Sequence, residues 1–121
     1  MNNLNIKQLN NLQTGQSLAV EIQSSTDDLR AFIVIGAYRN DGTRASKFIN
    51  TKHSEDNLYW FRKYEVKKED IENDLYLNEN DLINSVFING IKNIYNIEIE
   101  LRKYLSDFSS LDVEWKCDNP V

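Results

Sequence analysis

The chain has 121 residues, 40% of them apolar and 11% aromatic, with a net charge of −5. That is enough for one self-supporting core, and it excludes a disordered chain. A single cysteine, one proline and four glycines exclude a disulfide-built scaffold and any linker-divided array, so one domain over residues 1–121 is expected. The first residues, Met1 to Lys7, lack the apolar core of a signal peptide. No apolar run nears the ~18 residues of a membrane-spanning helix, and a soluble, cytoplasmic protein is expected.

In chain order, Leu4, Leu9 and Leu12 recur at helical spacing before Gly15 and predict a short helix over about 4–13. From Ser17 to Gln23, Leu18, Val20 and Ile22 alternate with Ala19, Glu21 and Gln23, the period of a half-buried strand. Ala31 to Tyr38 is the longest unbroken apolar run, read as a central strand covered on both faces. Asn40-Asp41-Gly42 tolerates the positive φ angles of a tight hairpin turn and predicts a return strand over 43–50. Leu58 to Val66 predicts a further strand, with Leu58, Trp60, Tyr64 and Val66 on one face and Tyr59, Phe61, Lys63 and Glu65 on the other.

Beyond Val66 the period changes. Ile71 and Leu75 sit one helical turn apart within Lys67–Leu77, and Leu82, Ile83, Val86 and Phe87 continue a helical stripe with Asn80 or Asp81 as its cap. Ile94, Ile97, Leu101, Tyr104, Leu105 and Phe108 form an amphipathic helix, although Ile97, Ile99 and Leu101 also alternate as in a strand. Leu111, Val113, Trp115 and Cys117 alternate as a last strand. The expected class is α+β: an antiparallel β-meander of four to five strands with helices packed on one face.

Catalytic and metal chemistry find little support. His53 and Cys117 are a conceivable thiol–imidazole pair, but Cys117 continues an apolar face two residues after Trp115, where cysteine acts as a small core residue. Asp70, Glu72 and Asp74 alternate without the glycine and terminal glutamate of a calcium loop. No glycine opens a phosphate-binding loop, and Asp27-Asp28 read as turn formers. No metal, cofactor or enzymatic activity is expected.

Two binding surfaces stand out. Arg39, Arg44, Lys47, Lys52, Arg62 and Lys63 fall near Tyr38, Tyr59, Trp60 and Phe61, a basic and aromatic set suited to single-stranded nucleic acid, although the whole chain is acidic. The second is acidic. Through Lys68 ten basic residues face seven acidic ones, and from Glu69 onward four face twelve. Glu69, Asp70, Glu72, Asp74, Glu79 and Asp81 form the densest run, with Tyr76 and Tyr95 as nearby aromatic anchors. Such a surface suits a basic partner, because complementary charge speeds encounter and selects partners.

In size, acidity and this acidic stretch the chain resembles the immunity proteins of bacterial toxin–immunity systems, including contact-dependent growth inhibition. The resemblance implies a non-enzymatic inhibitor that binds a cognate toxin domain, often a nuclease, and covers its basic active-site cleft. A small nucleic-acid-binding module using the hairpin face is the alternative.

Overall fold

Leu29 to Arg39 is an eleven-residue strand because nearly every position is apolar and four consecutive side chains are β-branched or aromatic, Phe32, Ile33, Val34 and Ile35. The computed structural model describes residues 3–39, 57–73 and 82–117. In it the elements run α1 (Ile6–Gln13), β1 (Leu18–Ile22), β2 (Leu29–Arg39), β3 (Asn57–Lys67), α2 (Lys68–Glu72), β4 (Ile83–Ile91), α3 (Ile94–Arg102), β5 (Asp112–Val113) and α4 (Glu114–Cys117). The strands form one antiparallel sheet in the order β4-β3-β2-β1-β5. β1 to β4 are a meander, and β5 returns to pair with β1 through Leu18↔Val113. The α+β class and the antiparallel meander are therefore observed.

β2 is answered directly by β3, in register from Leu29↔Lys67 to Arg39↔Asn57. The expected return strand over 43–50 lies outside the described residues. Alternation along these strands makes two cores. On the first face Leu18, Val20, Ile33, Ile35, Tyr59 and Phe61 meet Leu4 and Leu12 from the N-terminal segment, Ile97 and Leu101 of α3, and Phe108. On the second face Ala19, Phe32, Val34, Tyr64 and Val66 form a smaller cluster, touched by Ile71 of α2, Leu82 and Cys117. The two longer helices thus cover the first face, and single turns close part of the second.

Polar anchors fix the first face. Asn5 caps α1 with a reciprocal bond to Gln8, and the buried Gln8 amide then donates to the carbonyls of Phe108 and Leu111. The Leu4 N–H donates to the buried Glu98 carboxylate of α3 at 2.8 Å. The two ends of the chain are joined through this layer.

The segment from Leu82 to Phe87 departs from its helical reading: Ile83–Ile91 is an edge strand. Tyr59↔Ile91, Phe61↔Ile88, Lys63↔Val86 and Glu65↔Ile83 are the paired positions. Two irregularities add a residue to β4 each time, near Asn84 (φ 53°) and Gly90 (φ 70°). Residues on one face of β4 therefore fall at 83, 86, 88 and 91, a spacing that hides the alternation of a strand. Helix α3 also ends earlier than its pattern, at Arg102, with Phe108 reaching the core from a turn. The final alternation yields two paired residues before the chain turns into α4.

One buried charge ties three of these segments together. The Glu65 carboxylate is 1% exposed and accepts from the Ser25 N–H (2.7 Å), the Ser25 hydroxyl (3.0 Å), the Asn84 amide (2.8 Å) and the Lys63 ammonium (3.2 Å). Burial alone would raise its pKa. The bonds from Ser25, Asn84 and Lys63 outweigh burial and hold it at about 2, against 4.5 for an ordinary glutamate. Because the folded value is depressed, its stabilisation is complete above the unfolded value and is lost as pH falls from 4.5 toward about 2. E65Q should lower stability at neutral pH by about 2 kcal/mol in urea denaturation, as expected for lost charge-assisted hydrogen bonds. It should also flatten the acid limb of the stability profile. An acid limb as steep in E65Q as in the native chain would assign it to other carboxylates.

Candidate functional site

The second face of the sheet is covered unevenly. Toward the β2 start and β3 end, α2 and α4 supply Ile71 and Cys117 over Phe32, Val34, Tyr64 and Val66. Toward the opposite end no described helix lies over the strands. There Tyr38, Trp60, Arg62, Phe87 and Asn89 line an open groove of about 440 Å³. Three strands place them: β2 carries Tyr38, β3 carries Trp60 and Arg62, and edge strand β4 carries Phe87 and Asn89.

The groove floor depends on a missing side chain. Gly36 and Trp60 are direct cross-strand partners, and a Cβ on Gly36 would lie 2.5 Å from three atoms of the indole. The indole therefore lies over the β2 backbone, a packing only glycine permits. Phe87, 62% exposed, stands beside it with ring centroids 6.5 Å apart. The Tyr38 hydroxyl donates to Asn89 Oδ1 at 2.9 Å, and the Gly90 N–H donates to the same oxygen. The Arg62 guanidinium lies over the Tyr64 ring, 4.9 Å from its centroid.

The basic and aromatic residues of the hairpin are thus divided between the faces. Tyr38, Trp60 and Arg62 share the open second face. Tyr59 and Phe61 are buried in the first-face core, where burial raises the Tyr59 phenol pKa. Lys63 also points to that face, bonded to Glu65 and 5.9 Å from the Tyr104 ring centre. Arg44, Lys47, Lys52 and His53 lie outside the described residues, as does the Arg39 side chain.

The acidic stretch is divided as well. Glu69 and Glu72 are exposed on α2 and Asp70 is half-buried there. None of the three has an ion-pair partner among the described residues. Lys67 and Lys68, both exposed, precede them. Their charge acts on other carboxylates: the Asp28 carboxyl is held low by the Thr26 hydroxyl and its own backbone N–H, with both lysines adding to the effect. Asp74, Tyr76, Glu79 and Asp81 lie outside the described residues. Tyr95, 63% exposed, projects from α3, which packs on the first face, so the sheet separates it from α2. Glu69, Asp70 and Glu72 instead share the second face with the aromatic groove. From Trp60 to Glu69 is nine residues along β3 and into α2, within reach of one interface of ordinary size.

Phe87 and Asn89 belong to this site, and their place on a strand is hidden in the sequence because the β4 bulges disguise the alternation. Among the described residues no cluster of His, Cys, Asp and Glu could hold a metal ion, and no helix is long and apolar enough to cross a membrane. No protein-family model matches the chain, and no curated protein or solved structure matches it.

The Gly36–Trp60 contact gives a direct test of the groove floor. G36A should push the indole off the sheet and cost about 1 kcal/mol, the low end for overpacking because Trp60 is half-exposed and can move. Tryptophan emission should shift and the indole N–H resonance of Trp60 should move. An unchanged indole signal in G36A would show that the ring does not rest there.

Proposed function

We propose that the chain is a non-enzymatic inhibitory binding protein, an immunity protein that neutralises a basic toxin domain, most simply a nuclease, in the cytoplasm. The observation that carries this reading is the second face itself. It combines an aromatic groove, built on three strands, with the carboxylates of α2 at its other end, which have no ion-pair partner among the described residues. Tryptophan, tyrosine and arginine are the side chains that dominate binding energy at protein interfaces, and they do so when held rigid beside a polar rim. Glu69, Asp70 and Glu72, continued in sequence by Asp74, Glu79 and Asp81, supply the negative field that a nucleic-acid-binding cleft attracts. The protein would then occupy that cleft in place of substrate phosphates.

The excess of acidic over basic residues supports this reading over direct nucleic-acid binding. A net charge of −5 repels a polyanion at long range, and Arg62 is the one cation that lines the groove among the described residues.

Affinity capture with tagged protein from the source cells should retain one basic protein in stoichiometric amount, released by high salt. Equimolar addition of the chain should abolish that protein's nuclease activity. A retained partner whose nuclease activity is unaffected would overturn the inhibitory reading. E69K/E72K should slow association with the captured partner about tenfold at low salt and leave dissociation nearly unchanged. Equal association rates for the variant and the native chain would remove α2 from the mechanism.

A further inference from the structure

Among the described residues the second face carries two arginines in similar settings. Arg30 lies over the Phe32 ring, 5.2 Å from its centroid, and Arg62 lies over Tyr64 at 4.9 Å. Arg30 is answered by a carboxylate: its Nε and one terminal nitrogen donate to the two oxygens of Glu21 at 2.9 and 2.8 Å. That bidentate fork is the geometry in which arginine recognises a carboxylate most strongly. Arg62 has no such answer, since no described carboxylate lies within ion-pair distance of it.

The other polar groups of the groove have the same bias. The Gly90 N–H can only donate, so the Asn89 atom that receives it is the oxygen, and that oxygen also takes the Tyr38 hydroxyl proton. The Asn89 amide nitrogen is left with two donors and no described partner. The groove therefore offers donors from Arg62 and Asn89, set among the apolar surfaces of Trp60 and Phe87.

We propose that this groove anchors a peptide segment of the protein partner that carries a carboxylate next to an apolar or aromatic side chain. The carboxylate would sit on Arg62 as Glu21 sits on Arg30, and the apolar side chain would lie against Trp60 and Phe87. The proposal rests on the reading of the chain as a protein-binding module. A single cation suits a single carboxylate, whereas a nucleic-acid strand needs a run of cations to track its phosphates.

The test uses the full chain and a minimal probe, N-acetyl-phenylalanine, beside its neutral amide and a short oligothymidylate. The Trp60 indole N–H and the Arg62 Nε–H are followed by nitrogen-15 spectra, with W60F assigning the indole. The acid should shift both signals saturably, and the amide should bind about tenfold more weakly, the loss of one charge-assisted contact. R62Q should bring the acid to the level of the amide, R62K should retain part of the difference, and F87A should weaken acid and amide alike. The half-exposed Arg62 and exposed Phe87 make these variants tolerable to the fold, and the same spectra verify it. Equal binding of acid and amide, no saturable shift at millimolar concentrations, or Arg62-dependent binding of the oligonucleotide tighter than the acid would each overturn the proposal. The E69K/E72K association rates do not depend on this groove, so loss of the anchor and loss of the inhibitory reading are separately visible.

Discussion

The eleven-residue ladder between β2 and β3 is the constraint from which the rest of the molecule follows. Both strands are long enough to outrun their covering helices, and both bury side chains on two faces. Alternation along a ladder of fixed register assigns every residue to a face: Ile33, Ile35, Tyr59 and Phe61 to one, and Phe32, Val34, Tyr64 and Val66 to the other. The same register sets Gly36 against Trp60. A one-residue slip would place a side chain under the indole and send the phenylalanines to the wrong cores. The groove is thus a consequence of sheet register.

Edge strand β4 poses a problem that the fold handles in an unusual place. Ile83–Ile91 contains no charged residue, and an uncharged edge invites pairing with other chains. Bulges near Asn84 and Gly90 bracket it and leave only its centre, Val86 to Ile88, in uninterrupted register with β3. The first bulge is held by the buried Glu65, whose carboxylate also secures Ser25 at the β1–β2 turn. A burial that would be costly for an isolated charge becomes a clamp because four donors converge on it. The second bulge turns Asn89 so that its oxygen serves both Tyr38 and Gly90. Edge protection and groove construction are therefore done by the same irregularities.

Those irregularities also explain what the sequence concealed. Helix α1, β1, β2 and β3 were legible because each keeps one period from end to end. In β4 the two added residues convert spacing by twos into steps of three, two and three, so strict alternation is lost and Leu82, Ile83, Val86 and Phe87 read as a helical stripe although they belong to both faces of the sheet. Leu101 and Phe108 both reach the first core, but the chain between them is a turn, since core membership does not require a continuous helix. The site was legible in the same partial way. Tyr38, Trp60 and Arg62 were visible as part of a basic and aromatic hairpin, yet only the ladder shows that Tyr59, Phe61 and Lys63 turn away from them. Glu69, Asp70 and Glu72 were visible as charge, but the pairing of Ile71 with the second core is what brings them to the groove's face. Tyr95 shares their region of sequence and not their side of the sheet.

The second face has a direction. Carboxylates without described partners stand at its α2 end, and a guanidinium without one stands at its groove end, several strand residues away. A partner that answered only the acids would be attracted without being oriented, because the field of a carboxylate cluster falls off evenly in solvent. A partner that answered only Arg62 would have one short-range contact and little steering. Answering both requires a basic region and a carboxylate at a set separation on one surface, and a nucleic-acid strand, uniformly anionic, cannot supply that pattern. Arg30 and Glu21 satisfy each other on the same face and contribute no demand. On the proposed reading the arrangement suits a protein surface of alternating charge, with the long-range term setting the rate of encounter and the groove setting its alignment.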